Sequence, residues 1–284
     1  MKLLKSGILS SYRDLGQNGL RHLGVNPSGA MDKLTVRLLN ILLQNDENEA
    51  VLEMHFPAPE ILFEEDCTIV IGGADFMPML DNQEVMNWKS ISVKPGSILK
   101  FKKKIAGNRA YLVKKVSHAN QFLPYLGNSF VRKVSNLSKT VEVRFITGNE
   151  YKLLSEESKQ SLENQVFTIS QNSNRMGFRM NSEPLDLKTK IELVSSVVDF
   201  GTIQLLPNGQ LIVLMADHQT SGGYPRIGNV ISVDLPILAQ CGANDLVKFK
   251  VVSLQEAEEL LLLQEKEIQK LKASIIFFNG KQAN

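Results

Sequence analysis

The chain has 284 residues, 43% hydrophobic and 22% charged, with 32 basic residues against 30 acidic for a net charge of +2. That length can bury a sizeable core in one large or two medium domains, and the composition is that of a globular protein. The near-balance of charge gives no electrostatic reason to expect nucleic acid, and no run reaches the ~20 apolar residues of a membrane span.

Two cysteines, Cys67 and Cys241, are too few for a disulfide framework or a structural zinc site and read as buried small residues. His22, His55, His118 and His218 show no metal-ligand spacing. Residues 1–6 lack the apolar stretch of a signal peptide, so a reducing cytoplasm is the expected setting.

In chain order, residues 31–44 carry Leu34, Leu38, Ile41 and Leu42 on one helical face, with Ser28 as the expected N-cap. Short apolar runs then recur at residues 67–71, 98–101, 141–146, 166–170, 211–215 and 246–251, punctuated by Gly, Pro and Asn. Many short strands with frequent turns predict β-barrels or sandwiches rather than a doubly wound sheet. Lys100, Lys102, Lys103 and Lys104 sit at one strand end, where lysines discourage edge pairing. Residues 155–162 predict a short helix with Glu156 and Glu157 in its first turn, and Asp234-Leu235-Pro236 opens another. The tail, residues 254–272, is a charged amphipathic helix that docks on a partner, self-associates, or closes over the second barrel.

Self-comparison matches residues 51–75 to residues 193–217 without a gap at an offset of 142, and residues 95–101 to residues 243–249 at an offset of 148. Two blocks in the same order predict a tandem duplication. The expected division is an N-terminal β-barrel domain over residues 1–135 and a C-terminal one over residues 136–284, with a short linker at residues 135–139.

Both matched blocks end in Ala-Asp, at Asp75 and Asp217, yet only the second continues into Gln219-Thr220-Ser221-Gly222-Gly223-Tyr224. Rigid strands supply precision and the loops just past them supply chemistry, so this polar loop is the expected site.

Several segments together resemble one known family. They are Asp14-Leu15-Gly16-Gln17-Asn18-Gly19 through Ser28-Gly29-Ala30-Met31-Asp32, Asn45 through Glu53, Ser173-Asn174-Arg175-Met176-Gly177-Phe178-Arg179-Met180, and Gly201-Thr202-Ile203-Gln204 through Gly222-Gly223-Tyr224-Pro225 to Asp234-Leu235-Pro236. On these the chain resembles a family that includes allophanate hydrolase subunit 2, KipA and the C subunit of 5-oxoprolinase, and that is biotin-dependent carboxyltransferase-like. The resemblance implies a mainly β fold of two tandem cyclophilin-like β-barrel domains, with a few short helices and a C-terminal helix. It also implies work alongside a subunit 1 (KipI-type) protein and a lactam-utilisation type subunit, on a small-molecule amide substrate.

An amide is unreactive until its carbonyl is polarised or its nitrogen deprotonated. Asp217 is the candidate for orienting or deprotonating an N–H, with Gln219 and Thr220 reading the amide edge. Gly222 and Gly223 offer backbone N–H groups, and Tyr224 walls the site. Arg175, Arg179 and Arg226 are candidates for a substrate carboxylate or phosphate; Arg175 and Arg179 equally suit pairing with surface carboxylates. Ser28 is either an anion site at a helix N-terminus or a plain cap.

The expected function is that of the C subunit in an ATP-dependent 5-oxoprolinase complex, a hydrolase opening the lactam to glutamate. ATP would be bound by the complex, since the chain carries neither a Walker A nor a Gly-x-Gly-x-x-Gly pattern. The alternatives are a KipA-type regulator binding a KipI-type kinase inhibitor, and a urea carboxylase-like carboxyltransferase using carboxybiotin in trans.

Overall fold

A computed structural model describes residues 1–17, 19–115, 140–189 and 191–280; the linker expected at residues 135–139, and His118, lie outside them. The described residues fall into two compact units. One holds residues 1–15, 32–115 and 264–280, and the other holds residues 16–31 and 140–263.

In the first unit the elements are β1 (Lys2–Lys5), β2 (Ser10–Arg13), α1 (Lys33–Leu42), β3 (Val51–Met54), β4 (Glu60–Leu62), β5 (Cys67–Asp75), β6 (Pro78–Leu80), β7 (Gln83–Glu84), β8 (Ile91–Val93), β9 (Ile98–Phe101) and β10 (Ala106–Lys115). They form two five-stranded antiparallel sheets, ordered β1-β4-β9-β6-β7 and β2-β3-β10-β5-β8. Ile61, Phe63, Ile69, Ile71, Phe76, Leu99 and Leu112 meet in one core, and α1 packs against β5 and β10. Each such side chain contributes about 1.5–3 kcal/mol by leaving water. Gly72 permits the close approach: a Cβ there would lie 2.9 Å from Leu39 Cδ2 and 3.0 Å from the Trp88 ring.

Ser28 does not cap α1. The N-cap is Asp32, whose carboxylate accepts from Thr35 N (2.9 Å) and Thr35 Oγ1 (2.7 Å), while Ser28 has left-handed φ of 50°. Ser28-Gly29-Ala30 is therefore not a helix N-terminus open to an anion. Asp32 is fully buried, and its own amide donates to the Tyr111 hydroxyl, which donates to Glu53. Asp32→Ala should cost about 1–2 kcal/mol in urea unfolding, the range for a lost cap, whereas Ser28→Ala should leave the 222 nm ellipticity unchanged. Reversed effects would restore Ser28 as the cap.

The second unit comprises β11 (Thr140–Thr147), α2 (Glu156–Asn164), β12 (Phe167–Ile169), β13 (Gly177–Asn181), β14 (Ser196–Val197), β15 (Thr202–Leu205), β16 (Leu211–Leu214), β17 (Ser221–Gly222), β18 (Arg226–Val230), α3 (Leu235–Ala239), β19 (Leu246–Val251) and the start of α4 (Leu254–Gly280). Seven strands close into a barrel in the order β11-β18-β15-β16-β13-β12-β19, with β11 and β19 parallel. Alternation turns Val141, Val143 and Phe145 inward from β11, and Val247 and Phe249 from β19. Phe249 packs edge-on to both Phe145 and Phe167, at centroid distances of 5.9 and 5.1 Å. In the same unit, Ala257 and Leu260 of α4 pack on Ile231, Val233 and Val252. In the first unit, Ile268 and Ile275 of α4 are buried and Glu265 pairs with Arg37.

At the offset of 142, β4 and β5 fall on the strands β15 and β16, whereas β3 falls on residues 193–196, of which only Ser196 is in a strand; the partners of the matched strands also differ. β15 and β16 form a hairpin, whereas β4 and β5 lie in different sheets. A period of two matches any strand to any other; pairing is set by the turn. Between β15 and β16 that turn is Pro207-Asn208-Gly209, where Gly209 takes φ of 78° and donates to Leu206 O at 2.9 Å.

Candidate functional site

The polar loop leaves β16 and stays hydrogen-bonded to the loop before β13. Met215 N donates to Met176 O (3.0 Å) and Asp217 N to Arg175 O (2.8 Å). The Asp217 carboxylate accepts from Ser28 Oγ at 2.6 Å and from Arg175 through Nε (2.7 Å) and Nη2 (3.1 Å). Arg175 Nη2 also donates to Gly29 O at 2.5 Å. Ser28, Arg175 and Asp217 thus form one half-buried cluster.

Beside it His218 is fully buried. Its Nδ1 lies 2.6 Å from Gln219 O, and a carbonyl only accepts, so Nδ1 carries the proton. Nε2 faces Asp199 at 4.0 Å, and Asp199 is bound by Arg21 at 2.6 Å. Burial alone would raise the Asp199 carboxyl; Arg21, the Phe200 amide and His218 together bring it below its ordinary value.

A cavity of about 440 Å³ lies against the outer face of the barrel wall. Its lining alternates along three neighbouring strands: Gly177 and Arg179 on β13, Ile212 and Leu214 on β16, Gln204 on β15 with Leu206 just past it. The register sets these side by side, with Gly177 opposite Leu214, and Arg179 and Gln204 both opposite Ile212. The intervening residues Phe178, Val213 and Ile203 are buried. Asn172, Asn174, Gln219 and Tyr224 complete the lining. Tyr224 also lines a second cavity of about 1020 Å³, shared with Gly223.

Of the residues expected at the site, Arg179, Gln219 and Tyr224 meet at the 440 Å³ cavity, while Asp217, Arg175 and Ser28 are not among its lining. Arg179 has no carboxylate partner among the described residues. Thr220 accepts from Val198 N through its carbonyl (3.3 Å). Gly222 sits in β17, paired with Ser196.

Arg226 belongs to a separate ion pair. It donates to Glu150 through Nε and Nη2, each at 3.0 Å, and through its amide at 2.9 Å. The guanidinium holds the Glu150 carboxyl below its usual value of 4.5. Because the folded value is the depressed one, the pair stabilises fully above pH 4.5 and loses that contribution as pH falls through the folded value. Glu150→Gln should remove roughly 1 kcal/mol at pH 7 and flatten the acid side of a Tm-versus-pH curve. An unchanged acid limb would count against the pair.

Gln204 lies in a segment that carries the family resemblance but is not among the residues expected at the site. It is fully buried, and among the described residues neither its Nε2 nor its Oε1 meets a hydrogen-bond partner. Leaving such a group unsatisfied costs about 1–3 kcal/mol. The signal in the sequence is a carboxamide inside Thr202-Ile203-Gln204-Leu205, a strand whose four residues are all buried. A register shift in the β15–β18 ladder falls between Ile203 and Gln204, the kind of irregularity that re-aims a side chain.

The chain belongs to the carboxyltransferase domain family, subdomain A and B, whose model matches residues 23–129 and 115–251. It is similar to the 5-oxoprolinase C subunit of Haemophilus influenzae, 33% identical over 280 residues covering 88% of this chain and 91% of that protein. It is also similar to the 5-oxoprolinase C subunit of Escherichia coli, 28% identical over 95% of this chain and 97% of that one. Urea amidolyase of Saccharomyces cerevisiae matches over 107 residues at 37% identity, 37% of this chain and 6% of that protein. The solved K. lactis urea amidolyase shares the fold with a TM-score of 0.87 at 22% identity, covering 95% of this chain and 20% of that one. The family is the one that the motifs of the loop and of residues 174–179 resemble.

Proposed function

We propose that the chain is the C subunit of a cytoplasmic, ATP-dependent 5-oxoprolinase complex that opens the lactam of 5-oxoproline to glutamate. One observation carries this reading: the cavity groups carboxamides with a single cation, Arg179, against an apolar wall. 5-Oxoproline is a planar cyclic amide bearing one carboxylate, which calls for that donor set. The similarity to two 5-oxoprolinase C subunits along nearly their whole length supports it. The cavity does not suit ATP, because a triphosphate needs several cations or a run of converging backbone N–H groups. A subunit 1 (KipI-type) protein and a lactam-utilisation type subunit would hold the nucleotide and complete the site.

Within this chain Arg179 would take the carboxylate, Gln219 and the neighbouring amides the lactam, and Tyr224 would exclude water from one side. Asp217, held by Arg175 and Ser28, would fix the loop rather than accept a proton. A second reading is a carboxyltransferase using carboxybiotin supplied in trans, favoured by the family match and by the likeness of urea and ureido groups to a lactam.

The test is glutamate formation from 5-oxoproline and ATP by the co-produced subunits. The assembled complex should turn over and this chain alone should not. A tight complex with no glutamate formed, or turnover by the isolated chain, would sink the proposal.

A further inference from the structure

We propose that Gln204 is the specificity-determining residue of the cavity, reading the side-by-side N–H and C=O edge of a cis amide. This rests on the reading of the cavity as an amide site, but not on which cis amide it takes.

A folded chain tolerates a fully buried carboxamide with neither polar atom satisfied only rarely, and such groups mark places where a partner is absent. Here the group belongs to the cavity lining. Gly222 gives it room: a Cβ at that position would come within 2.6 Å of Gln204 Nε2 and 3.4 Å of Gln219 Nε2, so both amide nitrogens converge on one space. Gly222 lies outside the positive-φ glycines, so its backbone is open to any residue and the space beside it explains the missing side chain.

A primary carboxamide presents a donor and an acceptor side by side in one plane. Rings that contain an amide, whether lactam or cyclic urea, hold their N–H and C=O on the same side and match that pair with two parallel hydrogen bonds. An acyclic trans amide points the two groups in opposite directions and satisfies only one. The substrate class that Gln204 selects is therefore the cis amide, and a site built to bond an N–H rejects the analogue that lacks it.

The experiment measures binding by calorimetry with the full chain in its co-produced complex, without ATP. The probes are 5-oxoproline, its lactone analogue with ring oxygen in place of N–H, and 4-carboxy-2-imidazolidinone. Wild type should bind the lactam at least about tenfold more tightly than the lactone, from the loss of one buried hydrogen bond and the stranding of Gln204 Oε1. Gln204→Leu should reduce that ratio to near one, and Gln204→Glu, which swaps the donor for an acceptor, should weaken binding of both amide rings.

Thermal unfolding separates a ligand role from a structural one. Gln204→Leu replaces an unsatisfied amide with an apolar group of similar size, so its Tm should hold or rise; a large fall would show that the amide has a structural partner and overturn the proposal. Discrimination that survives in Gln204→Leu, or absence of any cis-amide binding by wild type, would overturn it as well. Preference for the cyclic urea over 5-oxoproline would remove the 5-oxoprolinase reading while supporting the role of Gln204.

Discussion

Arg175→Met is expected to destabilise the protein by about 2–3 kcal/mol in urea unfolding. Losing one partner of a buried ion pair costs about 3–5 kcal/mol, and the lower figure applies because the Arg175 and Asp217 side chains keep 19% and 27% exposure. Within the second unit Arg175 ties its own segment to two others: to Asp217, through the carboxylate and the backbone amide, and to the Gly29 carbonyl. Replacing both partners, as Arg175→Met with Asp217→Leu, should cost clearly less than the sum of the single changes, because no charge is then left behind. Additive losses, or a single-mutant effect below about 0.5 kcal/mol, would show that the pair does not hold the loop. The same variants bear on catalysis. If Asp217 were the base that takes a proton from substrate nitrogen, Asp217→Asn would abolish turnover with stability intact. If it positions the loop, stability and substrate affinity fall together.

The strands were legible from sequence because alternation and β-branched runs are local properties. Residues 98–101 and 246–251 match strands residue for residue, and Ser155 caps α2 by accepting from Ser158 N. What was not legible is what depends on partners distant in sequence. Ser28 and Asp32 are both good capping residues; the left-handed backbone at Ser28 and the buried network at Asp32 decide between them, and neither shows in a local pattern. The matched blocks share part of their strand order, which is a local property, while the pairing of β4 with β9 and of β15 with β16 is set by turns and tertiary partners.

The same limit applied to the site. Arg179, Gln219 and Tyr224 stand out because polar groups just past or along strands beside a Gly-Gly pair suggest a ligand. Gln204 did not, because a Gln in a strand usually faces water. Here Gln204 is fully buried although alternation places it on the outer face of the barrel wall, and that burial is a tertiary fact.

Arg179→Gln is expected to raise the KM of the assembled enzyme for 5-oxoproline by roughly ten- to a hundredfold. A charge-assisted hydrogen bond is worth about 1.5–3 kcal/mol, and each 1.36 kcal/mol is a factor of ten. The argument is one of position: Arg179 stands opposite Ile212 on the cavity wall, on the strand next to Gln204's neighbour, and its backbone is fixed on both sides. Its amide donates to Ser173 Oγ at 3.0 Å, and its carbonyl accepts from Ser170 at 2.8 Å. A guanidinium there and a carboxamide at Gln204 would hold opposite ends of a ring that carries a carboxylate at one carbon and an amide at another. Arg179→Lys should recover part of the affinity, since the charge returns without the planar fork. Neither change should matter for 2-pyrrolidinone, the lactam without a carboxylate. If Arg179→Gln weakens that ring as much as 5-oxoproline, the guanidinium does not hold the carboxylate. If neither ligand responds, Arg179 is a solvent-facing side chain on the rim.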